Sequence, residues 1–339
     1  MTPHKLVPCF CAGRSPGWRT TAFAAKRVAG LLAAGLAIAV LAPDALAVGF
    51  CTKTADAALT ACQNDVRDTF WVGKGICINE SDDKDRRTCN DDAQTEMEDG
   101  LRLCQQQHNA RLHVCTIVGE DRYDPEFEPA QFVNPDNIGH GIAPNPYFPL
   151  VRGMRFTYKG GGQVITDTVT DKTKRIDGVT CRVVEDLVRE HGVVIEQTDD
   201  WFAQDLAGNV WYCGELARVF ETFKGDRPQD PELTSIEGSF KAEREGDKPG
   251  IIALAAPQVG DGYYEEFSLA NAEDVAEVIS TTGSAAVPAA MCNKTCVVTR
   301  NTSPLEPGIK ETKYYAPGVG LILEVENDGT RVELVQVTH

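Results

Sequence analysis

Six cysteines in the N-terminal third of the chain are placed symmetrically, and this pattern restricts the fold more than any other feature of the sequence. They are Cys51, Cys62, Cys77, Cys89, Cys104 and Cys115. Their spacings of 11, 15, 12, 15 and 11 residues read the same in both directions. The position numbers of each nested pair therefore add to the same value, as expected for two antiparallel segments held in one register.

The two segments that carry these cysteines have helical patterns. The range 54–70 contains no Gly or Pro and is rich in helix-forming residues, and 91–118 has apolar residues on a period near 3.6. Eleven residues are close to three helical turns, so cysteines at that spacing face the same way. The sequence predicts an α-hairpin with the bridges Cys51–Cys115, Cys62–Cys104 and Cys77–Cys89. Each bridge would add about 2 to 4 kcal/mol to the stability.

Four further cysteines lie nearer the C-terminus, and three connectivities are open to them. We favour Cys181–Cys213, which would join two strands, and Cys292–Cys296, which would close a tight loop. The alternative for the cysteines of the hairpin is a metal site, because Cys104 and His108 lie four residues apart. The hairpin has no C-x-x-C, and an exported chain favours disulfides over zinc.

The first 47 residues have the three parts of a secretory signal peptide. Five basic residues and no acid lie in 1–27, an apolar run covers 28–43, and Ala45 and Ala47 form a cleavage site. The apolar run is shorter than the roughly 20 residues of a membrane span, although an uncleaved anchor stays an alternative. We therefore predict a signal peptide over residues 1–47. The product would be soluble, without an integral membrane span, and secreted or periplasmic in a bacterium.

The chain is acidic, with 33 basic and 50 acidic residues among 339 and a net charge of −17. Removal of residues 1–47 takes away five bases and one acid and makes the net charge −21. Such a protein has no excess of cations to neutralise phosphates, so we exclude nucleic acid as a general partner.

The remaining sequence divides into three regions. A proline-rich linker, 121–149, separates the hairpin region, 48–120, from a C-terminal region, 150–339, in which apolar and polar residues alternate. About eleven strands with Asp-Gly and Gly-Asn turns indicate a mostly antiparallel sheet, although 272–280 fits a short helix equally well. So many strands must curve into a half-barrel or split into a sandwich. We expect an α+β protein, a disulfide-stapled α-hairpin followed by a large curved β-sheet.

The tip of the predicted hairpin, 79–92, is rich in oxygen ligands. Asp82, Asp83 and Asp85 are the candidates for calcium, which prefers such ligands. The segment does not match the D-x-[DN]-x-[DN]-G calcium loop, so we expect a solvated loop and no metal or other cofactor. Calcium stays the alternative.

Few groups are candidates for catalysis. The sequence has no G-x-S-x-G and no H-E-x-x-H, and the groups that remain are Asp200, Asp205, Glu215 and His140. Paired carboxylates can cleave glycosidic bonds, although acids this numerous also cluster by chance. Strand alternation predicts that Asp200 lies on one face of the sheet and Trp201 on the other.

Aromatic residues are the candidates for ligand binding. They are Trp201, Trp211, Tyr212, Tyr314 and Tyr315. Such side chains line apolar pockets, and more often they form ordinary core. Both interpretations are open at this point.

Three blocks of the β region resemble a widespread group of uncharacterised secreted bacterial proteins. The blocks are Asn145–Leu150 (NPYFPL), Asp200–Asp205 with Gly208–Tyr212 (DWFAQD and GNVWY) and Lys313–Leu321 (KYYAPGVGL). The resemblance covers roughly residues 144–326 and implies export and a fold, but no activity. The last block is also similar to the closing hairpin of half-barrel envelope proteins such as the lipoprotein carriers of the periplasm.

These patterns predict a secreted binding or envelope-associated protein without enzymatic activity. It would carry an apolar or amphiphilic small molecule in the β region, or dock to an envelope protein. Two alternatives stay open: a hydrolase of an envelope polymer that uses paired carboxylates, and a calcium-stabilised surface or assembly protein. An apolar cavity of a few hundred Å³ would favour ligand carriage.

Overall fold

A computed structural model describes residues 49–339, so the predicted signal peptide over residues 1–47 lies outside the described residues. The described chain forms two long helices followed by one large antiparallel sheet, and the predicted α+β class is confirmed. Neither long helix combines enough length with enough apolar character to span a membrane.

Helices α1 (Phe50–Ile78) and α2 (Asp83–Val118) form an antiparallel hairpin. Asp82 caps the N-terminus of α2, and its side chain accepts hydrogen bonds from two backbone amides of the first turn. At Gly100 a methyl group would lie 3.0 Å from the side chain of Val66, so the missing side chain lets the helices approach closely. Three disulfides join the helices in the equal-sum register: Cys51–Cys115, Cys62–Cys104 and Cys77–Cys89.

An irregular segment over residues 119–154 connects the hairpin to the sheet and lies against it. Asn145 holds this segment in place, because its side chain donates to the backbone carbonyls of Gly208 at 2.8 Å and Ala253 at 3.3 Å. Its side-chain oxygen accepts from the backbone amides of Tyr147 and Phe148. The buried Asn145 thus shapes the first of the three sequence blocks.

Fifteen strands follow in the described chain. They are β1 (Arg155–Gly160), β2 (Gln163–Ile176), β3 (Val179–Glu190), β4 (Val193–Gln204), β5 (Val210–Glu221), β6 (Glu232–Ser235), β7 (Phe240–Lys241), β8 (Lys248–Ala253), β9 (Gly262–Tyr264), β10 (Glu266–Phe267), β11 (Val275–Val287), β12 (Ala290–Thr302), β13 (Glu311–Ala316), β14 (Gly320–Glu326) and β15 (Arg331–Thr338). The sequence predicted about eleven. The difference comes mainly from strands of two to four residues, too short for a clear alternation.

The strand order is β10-β8-β5-β4-β3-β2-β1-β15-β14-β13-β12-β11-β9, and β6 and β7 also pair with β5. The two ends of this order are neighbours in the chain, because only Glu265 separates β9 from β10. The closing segment, 262–267, therefore pairs with β11 through one half and with β8 through the other. The sheet closes nearly on itself. Of the two predicted alternatives, a curved half-barrel and a two-layer sandwich, the structure has the curved sheet.

The two faces of the sheet bury different clusters. The inner face carries the main core, which includes Phe156, Tyr158, Val184, Phe202 and Tyr212. The outer face of β3, β4 and β5 carries a smaller cluster that is covered by the linker and contains Phe127, Val183, Trp201 and the disulfide Cys181–Cys213. A fifth disulfide joins Cys292 to Cys296 within β12.

Candidate functional site

Four carboxyl groups lie side by side on the inner face of β2, β3, β4 and β5, and we call them the carboxyl row. Its members are Asp167, Asp186, Asp200 and Glu215. Asp167 lies opposite Asp186 in the ladder, and Asp200 lies opposite Glu215. The two pairs are offset by two residues along the strands, because the residue opposite Asp200 on β3 is Val184 and not Asp186.

Alternation along the strands explains why these acids point inward. Val169 and Val184 belong to the main core, and each lies two residues from an acid of the row on its own strand. The sequence pointed to Asp200 and Glu215 as candidates, whereas Asp167 and Asp186 were not predicted. The signal for the latter two was present, because each has an apolar residue two positions away on either side along its strand.

Tyr212 joins two members of the carboxyl row. Its hydroxyl oxygen lies 2.5 Å from Asp200 Oδ1 and 2.9 Å from Glu215 Oε2. A hydroxyl has one proton and can donate fully to only one of these oxygens. The second contact becomes a hydrogen bond when the other carboxyl is protonated and donates to the tyrosine oxygen.

The environment of the row favours protonated carboxyls. Burial raises the pKa of Asp186 to about 8 and that of Glu215 to about 7. Burial also raises the pKa values of Asp167 and Asp200 well above the usual range, and the adjacent carboxyl of the same pair adds to each shift. Glu266 on the closing segment faces the same interior, and burial followed by the charges of Asp274 and Glu215 raises its pKa. The row therefore holds protons at neutral pH.

Two oxygens of the row lack any partner. The Oδ1 atoms of Asp167 and Asp186 are shielded from solvent and have no hydrogen-bond partner in the described chain. None of the ion pairs formed within residues 49–339 includes a member of the row. The cation Lys313 on β13 is 3.3 Å from Glu311 and 3.8 Å from Glu324.

The interior offers little empty space near the closing segment. A cavity of about 10 Å³ lies there, lined by residues that include Ile252, Tyr263, Val297 and Tyr315. This volume is about that of one water-sized probe. A ligand with an apolar tail does not fit into it.

A larger cavity is an open groove of about 470 Å³ on the outer surface, where the linker meets the turn between β4 and β5. We call it the outer groove. It is lined by Glu126, Ala130, Gln131, Phe132, Asp205, Leu206, Ala207 and Trp211. Leu206 is 72% exposed, so most of its apolar side chain is in contact with water.

Hydrogen bonds and ring packing fix the walls of the outer groove. The indole Nε1 of Trp211 donates to Asp205 Oδ2 at 2.9 Å, and the backbone amide of Asn209 donates to Asp205 Oδ1 at 2.8 Å. The Trp211 ring meets Phe132 edge to face, with centroids 6.1 Å apart. Asp205 thus fixes the turn and the orientation of the indole. It lies in the outer groove and not in the carboxyl row.

The other predicted residues lie elsewhere. Trp201 is buried on the outer face, with the ammonium groups of Lys174 and Lys241 5.3 and 5.2 Å from its ring centroid. Tyr315 is buried and Tyr314 packs partly buried against the main core. His140 is exposed in the linker and lines neither the carboxyl row nor the outer groove.

The acids at the hairpin tip have partners within the protein. Asp82 caps α2, and Asp83 forms an ion pair with Arg86. Asp85 lies in the first turn of α2, where the helix dipole favours an acid. Within residues 49–339, no group of three or more His, Cys, Asp or Glu side chains is arranged to hold a metal ion.

Comparison with known proteins gives no family. No family model and no curated protein matches the chain. A solved structure from Bacteroides fragilis, described as a candidate exported protein with a YmcC-like fold, is 14% identical and has a TM-score of 0.33 over 57% of this chain and 99% of its own. A candidate lipoprotein from Parabacteroides distasonis is 11% identical, with a TM-score of 0.32 over 58% of this chain and 100% of its own. Similarity at this level carries no conclusion about function.

Proposed function

We propose that this chain is an exported binding protein that takes an amphiphilic molecule with a cationic head in the outer groove. The observation that carries the proposal is the groove itself. Its volume of about 470 Å³ lies within the range of roughly 300 to 1,000 Å³ that small-molecule sites occupy. Its walls are largely apolar and open to solvent.

The apolar half of such a ligand matches the side chains that the protein leaves uncovered. A hydrocarbon chain over Leu206, Phe132 and Trp211 would remove apolar surface from water, at about 25 cal/mol for each Å² buried. The indole is already held in place by Asp205, so little conformational freedom is lost on binding.

The charges at the rim of the outer groove indicate the charge of the ligand's head group. Glu126 is exposed there, and its carboxylate is held by the side-chain amide of Gln131 at 2.9 Å. A cation at this position would be attracted by the carboxylate, by the face of Trp211 and by the net charge of −17. An anionic head would meet repulsion from the same groups.

Export is supported by two separate features. The sequence has the pattern of a signal peptide over residues 1–47, and five disulfides join cysteines of the described chain. Disulfides in this number are typical of proteins in oxidising compartments.

Polymer hydrolysis by paired carboxylates has less support. Glycoside cleavage uses carboxyl groups about 5 to 9.5 Å apart, with the sugar between them. Asp200 and Glu215 contact the same Tyr212 hydroxyl and hydrogen bond to each other, which leaves no room for a sugar between them. Asp205, the third predicted acid, lies in the outer groove.

Calorimetric titration with dodecyltrimethylammonium below its micelle concentration tests the proposal. We expect saturable binding at one site, and at least about tenfold weaker binding after Leu206→Lys, because the variant removes an apolar wall and adds a like charge. The matched control is Leu233→Lys on β6, where the leucine is also exposed, at 55%. Dodecyl sulfate, with the same tail and an anionic head, should bind more weakly. Absence of binding, or equal affinities of the two variants, would contradict the proposal.

A further inference from the structure

The carboxyl row carries an electrostatic cost that the fold does not require. Carboxyls directly opposite each other on neighbouring strands destabilise a sheet when both are ionised, and the row places two such pairs side by side. The buried Oδ1 atoms of Asp167 and Asp186 accept no hydrogen bond. A buried acceptor is costly unless a donor reaches it. The row thus has the features of a binding site whose missing hydrogen-bond donors are supplied by a ligand.

The described chain does not supply the missing donor. Lys313, on the inner side of β13, lies between Glu311 and Glu324. Arg182, which is buried on the same strand as Asp186, donates to Asp136 of the linker at 2.7 Å. All four members of the row keep part of their surface accessible to solvent.

The spacing of the row defines the chemistry of a matching ligand. Neighbouring strands lie about 4.8 Å apart, and the diagonal step from Asp186 to Asp200 is longer, about 7 to 8 Å. The carboxyls within each opposed pair are therefore separated by roughly the strand spacing. Amino groups joined by three-carbon spacers have a similar separation along an extended chain. Each ammonium group offers several donors, which suits carboxylates that have free lone pairs. The rings of Tyr158 and Tyr212 provide apolar walls for the methylene groups.

We propose that the carboxyl row binds a linear oligoamine, whose ammonium groups donate to Asp167, to Asp186 and to the Asp200–Glu215 pair. This site lies on the opposite face of the sheet from the outer groove and does not depend on it. Other titratable groups around the row are Tyr158, Glu196, Tyr212, Glu266 and Asp274. The acids among them add to the negative potential of the interior.

Binding would release protons from the row. Bound ammonium groups favour ionised carboxyls, whereas the free row holds protons because burial raises the pKa of Asp186 to about 8 and that of Glu215 to about 7. Carboxylates on the protein surface have lost their protons well below neutral pH and release none when an amine binds. Proton release therefore distinguishes the row from general attraction to an acidic surface.

The test is calorimetry with the triamine bis(3-aminopropyl)amine at pH 7.5, in two buffers of different ionisation enthalpy. We expect saturable binding of the triamine by the full chain together with proton release, seen as a difference in apparent enthalpy between the buffers. Asp186→Asn and Asp167→Asn should each weaken binding at least about tenfold, because each removes one charge-assisted hydrogen bond.

Glu185→Gln is the matched control, because this partly exposed acid neighbours Asp186 on β3 and points to the other face, where it pairs with Lys172. Its affinity should stay within about twofold of the original. Binding that is equally strong in the Asp186→Asn and Glu185→Gln variants would overturn the proposal. Absence of binding, or binding without proton release by the unmodified chain, would overturn it even if a variant failed to fold.

Discussion

At the scale of single residues, Asp186 illustrates how the fold changes the chemistry of ordinary acids. It has Asp167 opposite it on one side and Asp200 diagonal to it on the other. Burial, followed by the charges of Asp200 and Glu196, raises its pKa to about 8. The protein thus keeps a proton on a group that is ionised above about pH 4 in an unfolded chain.

These raised pKa values predict how stability depends on pH. The folded-state pKa values of Asp186, Glu215 and Glu265 are about 8, 7 and 7, above the values of 3.8, 4.5 and 4.5 that such groups have in an unfolded chain. Between these limits the folded protein binds more protons than the unfolded one, so its free energy of unfolding falls as the pH rises from about 4 to about 8.

Scanning calorimetry should therefore give a Tm that decreases from pH 5 to pH 8.5. Exposed acids with lowered pKa values, such as Glu120 and Asp136, finish ionising below this interval and do not reverse the trend. Asp186→Asn should reduce the decrease, since the variant cannot ionise at this position, and Glu185→Gln should leave it unchanged. A Tm that rises over the interval would show that the row is ionised throughout.

At the scale of elements, the helical hairpin is attached to the sheet by a buried ion pair. Arg111 on α2 donates to Glu273 through Nε at 2.8 Å and Nη2 at 2.7 Å, and both residues are at most 5% exposed. Glu273 also accepts from the backbone amide of Ala270 at 2.6 Å. Val114 packs beside this pair against Tyr264 of the closing segment. The position of the hairpin and the closure of the sheet are therefore connected.

Removing one partner of this ion pair should be strongly destabilising. Arg111→Met leaves the Glu273 carboxylate buried without its charged partner, and we expect a loss of about 3 to 5 kcal/mol in the free energy of unfolding. The double variant Arg111→Met with Glu273→Gln should recover part of this loss. Arg102→Met, which breaks the exposed pair with Asp99 on the same helix, should cost at most about 1 kcal/mol. Equal losses for the two single arginine variants, measured by urea denaturation, would refute this role of the buried pair.

The elements differ in how far the sequence predicts them. The hairpin follows from cysteine spacing, because a fixed sum of positions permits one antiparallel register. The long strands follow from alternation. The closure of the sheet could not be predicted, because Tyr263 to Leu269 has the pattern of one strand, whereas the chain changes partners at Glu265. Such a change is set by the meeting of two distant edges, which no local pattern records.

The candidate site was predicted in part for a related reason. Alternation predicts that Asp200 and Trp201 lie on opposite faces of the sheet, and the structure has them so. It does not predict which of the two faces is enclosed by the curved sheet. Acids are usually exposed, and this general rule outweighs the apolar neighbours that Asp167 and Asp186 have on their strands. The outer groove depends on the linker lying over the turn at Leu206, and that contact joins residues far apart in the sequence.

At the scale of the whole molecule, the β4–β5 hairpin contributes residues to both proposed sites. The inner face of β4 and β5 carries Asp200, Tyr212 and Glu215, and the turn between these strands carries Asp205 and Leu206. The nearly closed sheet keeps the two sites apart, so a ligand in one does not contact the other. The outer groove is an open cavity of ligand size whose walls are already in place.

Hydrogen–deuterium exchange of the full chain with and without dodecyltrimethylammonium tests this central claim most directly, because it locates the bound molecule. We expect slower exchange at residues 126–132 and 205–211, the two segments that form the outer groove, and unchanged exchange in α1, α2 and the carboxyl row. Slower exchange at other segments alone, or no change at any segment under saturating ligand, would contradict the assignment of the outer groove as the binding site.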